Sequence, residues 1–218
     1  EVYVDNNVNG TTTLFEVAKN FKNLRFVMAS SSSVYGGCNE APFKESADVD
    51  KPISVYAATK RACEIMAQTY HHLYGMDVWC LRFFTCYGPS QRPDLAIHKF
   101  TKLIDRDQPV PMFGDGSTCR DYLYIDDCVR GVMSAIDHCK GYEVVNLGES
   151  RTVRLDELIA LIGKTLGKEP TIDYQPEQPG DVPQTWADLT KAKALLDYDP
   201  GTMIEEGLEH FVAWYRGQ

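Results

Sequence analysis

Two near-continuous apolar runs, Leu24-Arg25-Phe26-Val27-Met28-Ala29 and Val78 to Phe84, bracket a stretch over 56–74 that reads as a helix. Apolar runs of this length suit strands of a parallel sheet, which are buried on both faces. A strand, a helix and a second strand in that order predict an α/β fold built on a doubly wound parallel sheet. A further helix is predicted over 11–22, and a loop carrying Gly36, Gly37 and Pro42 leads through Pro52 into the helix at 56. Past Tyr87-Gly88-Pro89 the pattern changes. It predicts a helix near 95–106, short strands near 110–113 and 122–124, and a helix over 126–138. Tyr142 to Leu147 reads as a strand, 155–166 as a helix, 171–174 as a short strand, and 189–196 and 203–216 as closing helices. A soft boundary falls near 89: residues 1–89 carry the sheet, and 90–218 form mainly a smaller α/β lobe that crosses back to the first. The segment from Gln175 to Pro183 holds three prolines and a glycine and reads as a rigid connection.

With 218 residues, 44% hydrophobic and 24% charged, the chain is large enough to bury a core. No apolar run approaches the ~20 residues of a membrane span, and the first residues lack a signal-peptide layout. The expectation is therefore no membrane partner. Seven cysteines without a C-x-x-C spacing favour reduced thiols in the cytoplasm and no metal site. A net charge of −9 argues against a nucleic-acid surface.

Chemistry concentrates in Ser31-Ser32-Ser33-Val34-Tyr35-Gly36 and, 21 residues after Tyr35, in Tyr56-Ala57-Ala58-Thr59-Lys60. On a helix, Tyr56 and Lys60 stand one turn apart on one face, so the ammonium favours the phenolate. An unassisted phenol is a poor base at neutral pH. Ser31, at the end of the first apolar run, is placed where a loop presents its hydroxyl to the same substrate oxygen. Taken alone, the Tyr-x-x-x-Lys spacing is equally that of an ordinary helix face with a solvated lysine.

The surroundings of these residues resemble the extended short-chain dehydrogenase/reductase family, in its NAD-dependent epimerase/dehydratase branch. The matching segments are Asp5-Asn6-Asn7-Val8-Asn9-Gly10-Thr11, Ser30 to Gly36, Tyr56 to Lys60, Leu81 to Pro89, Arg120-Asp121-Tyr122, Tyr124 to Asp127, Asn146-Leu147-Gly148 and Pro179 to Pro183, in the family's order. The resemblance implies a Rossmann-like fold, NAD as cofactor and a nucleotide sugar as substrate. It makes Ser31, Tyr56 and Lys60 catalytic, and puts Asn6 near the NAD ribose with Tyr56, Lys60 and the Phe83 backbone around the nicotinamide. Members of the family open on a glycine loop that cradles the pyrophosphate, and these 218 residues hold no G-x-x-G-x-x-G. Residues 1–89 are thus expected to be part of an NAD-binding domain lacking roughly 80–100 residues, counted at ~30 per βαβ unit. The polypeptide alone is expected to turn over little substrate, and could act only as a sugar-nucleotide-binding fragment. Family dimers form through the helix bearing the tyrosine and its neighbour, which implies a homodimer through 57–73 and 93–107.

Family dehydratases carry an Asp-Glu pair where this chain has Ser32 and Ser33, and related decarboxylases carry a glutamate at the position of Ser33. The resemblance then favours reversible oxidation at C4 and return of hydride to the other face, a 4-epimerisation. Ser32, Ser33 and Thr85 are assigned to the substrate. The stretch Tyr87 to Ile97 is similar to that of UDP-glucuronate 4-epimerases, in which the arginine before Pro-Asp, here Arg92, faces the C5 carboxylate. Once C4 is a ketone that carboxylate belongs to a β-keto acid, and a bidentate arginine can hold it away from the alignment that loses carbon dioxide. A solvated or phosphate-binding role for Arg92 stays open. Arg120 resembles the pyrophosphate contact and Asp181 the acceptor of the uridine ribose hydroxyls, although Gln178 stands where relatives often have an arginine. UDP-glucose 4-epimerisation and UDP-glucuronate decarboxylation are the alternatives.

Overall fold

The computed structural model describes residues 1–37, 40–177 and 182–218. The first apolar run becomes β1 (Arg25–Ser31) and the second β2 (Asp77–Phe83), and a third strand, β6 (Tyr142–Leu147), completes a parallel sheet in the order β1-β2-β6. Between the first two strands runs α2 (Val55–Tyr74), started by Ser54, whose side chain accepts from the Ala57 N–H at 3.1 Å, and ended by Gly75 in the left-handed region. On one face α2 and α1 (Gly10–Ala18) bury Phe15, Met28, Cys63, Ala67, Val78 and Cys80. On the other, Leu81, Val145 and Leu147 pack with residues of α4 (Ile125–His138) and α6 (Thr190–Leu196).

The helix predicted over 11–22 begins earlier and stops sooner. A π-helical turn, Val4–Asn9, runs into α1, and α1 ends at Ala18 because the Asn20 side chain donates to the Glu16 and Val17 carbonyls. Two three-residue strands were not anticipated: β3 (Thr85–Tyr87) and β7 (Thr152–Arg154). At Phe84 the chain leaves the first sheet after a last bond to Leu147, and β3 pairs in parallel with β5 (Cys119–Tyr124), whose other neighbour is the antiparallel β7. The second lobe adds α3 (Ala96–Asp105), α5 (Leu155–Leu166), α7 (Ile204–Arg216) and the parallel pair β4 (Val110–Phe113) and β8 (Ile172–Gln175). Its core is Tyr87, Ile97, Phe100, Tyr122, Leu158 and Phe211 with their neighbours. Among the described residues no helix is long and apolar enough to cross a membrane.

Asp121 ties the lobes together. Its buried carboxylate accepts the backbone N–H groups of Glu149, Ser150 and Ala187 at 2.7, 3.0 and 3.0 Å, so one side chain holds β5, the crossing after β6 and the segment before α6. Burial pushes this carboxyl up to about 6 against the pull of those three donors. Gly148 passes so close that a Cβ would meet the Ala187 Cβ at 2.7 Å and Asp121 Oδ2 at 3.0 Å.

Candidate active site

Strand ends place the first group of residues. Ser31 closes β1 beside Phe83 of β2, which in turn faces Leu147 of β6, so these backbones form the last rung at the carboxyl edge of the sheet. Ligands of open α/β sheets lie outside that edge. Ser31 then caps a 3₁₀ turn, Ser32–Tyr35, accepting from the Ser33 N–H at 3.1 Å and donating to Ser33 Oγ at 3.1 Å. The turn leaves Ser32 half-buried and Ser33 exposed.

The first turn of α2 brings Tyr56 to the same edge. Lys60 Nζ donates to the Ala29 carbonyl at 3.0 Å and lies 5.8 Å from the centre of the Tyr56 ring. Tyr3 packs on the same ring with centroids 5.4 Å apart. Both Tyr56 and Lys60 keep partial access to solvent.

Two cavities lead away from this edge. The smaller, about 250 Å³, is lined by Ser32, Ser33, Ser54, Thr85, Arg120 and Thr185 among others, and so reaches from the serine turn to the mouth of α2. The larger, about 320 Å³, has Phe100, Phe113 and Tyr122 in its walls and shares Thr85 and Arg120 with the first. Thr85 is there because the chain changes sheets at Phe84, and Arg120 because β5 lies beside β3. The arrangement offers hydroxyls and one guanidinium in a polar chamber and aromatic surface in its neighbour.

Other expected residues stand apart. Arg92 is 73% exposed, lies 3.2 Å from Asp94, and lines neither cavity, whereas Asp94 lines the larger one. Asn6 is exposed and donates to the Val2 carbonyl at 2.9 Å, while its neighbour Asn7 donates to Thr59 Oγ1 on α2 at 3.0 Å. Asp181 and Gln178 lie outside the described residues.

A profile of the family described as GDP-mannose 4,6 dehydratase matches residues 1–211. The chain belongs to this family of NAD-dependent epimerases and dehydratases. Within the epimerase/dehydratase family it is 44% identical over 214 residues to the UDP-glucuronate 4-epimerase of Thermodesulfobacterium geofontis (strain OPF15), a match of 98% of this chain and 66% of that protein. A crystal structure of the Bacillus cereus UDP-glucuronic acid 4-epimerase with UDP-glucuronic acid and NAD superposes with a TM-score of 0.93 at 37% identity, over 98% of this chain and 68% of that one. The Thermotoga maritima UDP-glucose 4-epimerase with UDP-glucose superposes with a TM-score of 0.91 at 32% identity, over 98% and 70%. The chain thus spans about two thirds of the length of the curated relatives it matches.

A buried polar group that no local sequence motif announces lies beneath this sheet edge. The rung just below Ser31 and Phe83 consists of Ser30, Arg82 and Asn146, all polar and all at least 97% buried. Glu64 of α2 lies against it, taking a fork from Arg82 Nε and Nη2 at 2.8 Å each and a bond from Ser30 Oγ at 2.6 Å. Burial pushes the Glu64 carboxyl up, but the Arg82 fork, with Ser30 and Arg61, brings the net below the usual carboxylate range. Arg82 also lies under the Tyr35 ring, and Tyr35 donates to Asn146 Oδ1 at 2.7 Å. The signal was present in the sequence as an arginine inside Val78 to Phe84 and a glutamate eight residues after Tyr56.

Proposed function

We propose that the chain carries the proton-transfer and sugar-nucleotide-binding parts of an NAD-dependent UDP-sugar 4-epimerase, acting on UDP-glucuronate to give UDP-galacturonate. The observation that carries this reading is the chamber of Ser32, Ser33, Thr85 and Arg120 that reaches Ser54, the cap of the helix bearing Tyr56 and Lys60. Hydroxyls stand where elimination of water would need an acid and a base, so the chamber suits a sugar that gives up a hydride and a proton at C4, regains both and loses neither water nor carbon.

In this reading Tyr56 takes the proton of the C4 hydroxyl while Ser31 holds that oxygen. The Lys60 ammonium, anchored on Ala29, stands one helical turn away and holds its positive charge beside the Tyr56 ring. Arg120 pairs with the pyrophosphate, and Phe100, Phe113 and Tyr122 give the base an apolar wall. The hydroxyls of Ser32, Ser33 and Thr85 bind the far side of the sugar and let the 4-keto form return by either face. NAD supplies the hydride acceptor and donor at C4 when bound. The Tyr56 face, the Lys60 ammonium and the Phe83 backbone at the sheet edge suit its nicotinamide riboside, and no glycine-rich turn for its pyrophosphate is among these 218 residues.

A second reading, a neutral-sugar epimerase of the UDP-glucose type, is favoured by Arg92, which is turned to solvent beside Asp94. Calorimetric titration of the polypeptide with UDP-glucuronate, UDP-glucose and NAD separates the two. Tighter binding of UDP-glucuronate, lost in Arg92→Ala, supports the acid sugar with Arg92 swinging inward. Equal binding of the two sugars, unchanged by Arg92→Ala, supports the neutral one. Absence of binding to either overturns both.

A further inference from the structure

The helix that carries Tyr56 and Lys60 lies on β1 and β2 through small and apolar side chains, Cys63 and Ala67 against Met28, Val78 and Cys80. Such packing holds a helix down, but it is non-directional and leaves sliding and rotation weakly determined. A base must stand within hydrogen-bond reach of its proton, and a displacement of about 1 Å can cost ~10²-fold in rate. Something else has to fix the height of Tyr56 above the sheet edge.

Tyr56, Lys60 and Glu64 follow one another at four-residue steps on α2. Lys60 bonds to Ala29, Glu64 bonds to Ser30, and the next residue of β1 is Ser31. On β2 the fork to Glu64 comes from Arg82, and the next residue is Phe83. Ser30 and Arg82 are register partners, so a single carboxylate bridges β1 and β2 on one rung, and the rung above it carries Ser31 and Phe83. A bidentate guanidinium-carboxylate pair is planar and directional, unlike the methyl packing around it.

We propose that Glu64 is a positioning residue that sets the place of Tyr56 and Lys60 against Ser31 by locking α2 onto the Ser30–Arg82 rung. It touches neither substrate nor cofactor. The proposal rests on the reading of Tyr56, Lys60 and Ser31 as the proton-transfer group. It assigns the buried ion pair a role in geometry. A pair of this kind is a poor source of stability, since replacing both partners with apolar side chains of similar size is often neutral or favourable, whereas removing one leaves a buried unpaired charge.

That difference supplies the test. Glu64→Gln alone is expected to lower the melting temperature sharply, and the double variant Glu64→Met/Arg82→Met to restore it to within a few degrees. Trace acetylation with acetic anhydride, read by peptide mass spectrometry, then compares Lys60 and Tyr56 with the exposed Lys102 and Lys140. In the folded double variant, labelling of Lys60 and Tyr56 is expected to rise several-fold while Lys102 and Lys140 stay unchanged. Native labelling of Lys60 and Tyr56 in a folded double variant overturns the proposal. If the double variant does not regain the native melting temperature, Ser30→Ala, which cuts only the bond of Glu64 to β1, takes its place. A rise at Lys60 then supports the proposal and native labelling overturns it. Labelling needs no nucleotide, so it succeeds or fails independently of the UDP-sugar reading, which the titration above decides.

Discussion

Removing one oxygen from Tyr87 is expected to stabilise the protein. The ring is 1% exposed, edge-on to Tyr122 and Tyr124 at centroid distances of 6.2 and 5.6 Å, and its hydroxyl has no hydrogen-bond partner among the described residues. A buried hydroxyl without a partner costs about 1–3 kcal/mol. Tyr87→Phe recovers that cost and leaves a void of roughly 10 Å³, which at ~24 cal/mol per Å³ takes back only about 0.2 kcal/mol. A net gain near 1 kcal/mol raises the melting temperature of a chain this size by about 2–4 °C. The same hydroxyl lies against α7 at Gly207, where a Cβ would overlap the oxygen and meet ring Cζ at 2.7 Å and Cε2 at 2.9 Å. Gly207→Ala gains about 1 kcal/mol of helix propensity but overpacks a core contact at about 1–3 kcal/mol or more, a net loss. With Phe at 87 the worst overlap is gone, so the double variant should be better than the sum of the singles by about 1 kcal/mol. Thermal and urea melts followed by circular dichroism measure all three. A Tyr87→Phe protein less stable than the native one, or additive single effects, would refute the account of an orphan oxygen pressed on Gly207.

Arg120→Ala should weaken sugar-nucleotide binding by about 10- to 100-fold, the loss of charge-assisted hydrogen bonds worth about 1.5–3 kcal/mol; calorimetry checks it. Glu149 is 7% exposed, and burial, then the Asp127 carboxylate, pushes its carboxyl up to about 8. The folded state therefore keeps a proton that the unfolded chain has lost, and this contribution to stability, present in mild acid, falls away as pH rises toward 8. Melting curves should show that decline and Glu149→Gln should flatten it; an equal slope in the variant would sink the assignment. Gly148→Ala should cost about 1–3 kcal/mol in a urea melt, because its Cβ has no room between Ala187 and Asp121.

Elements with a local apolar pattern were legible in the sequence. Val110 to Phe113, Tyr142 to Leu147 and 155–166 were read with the bounds the structure gives, since each is fixed by a local apolar pattern. β3 and β7 were not, because three residues carry no period and their pairing is decided by what β5 presents. The site divided in the same way. Tyr56 and Lys60 share a face by helix geometry alone, whereas the meeting of Ser33, Thr85 and Arg120 depends on the change of sheet at Phe84, which no local signal announces. Charged residues are rarely interior, so the partnership of Glu64 with Arg82 shows only where the fold brings α2 onto β2.

The change of sheet at Phe84 has a mechanical side. Residues 77–87 run without interruption from the first sheet into the second, and the chain returns through β6 and leaves again at Gly148. Neither layer can unravel without pulling strands from the other. A protease nick near residue 89 should therefore release no stable half, and Trp79 in the first layer and Trp214 in the second should report one shared melting transition by fluorescence rather than two.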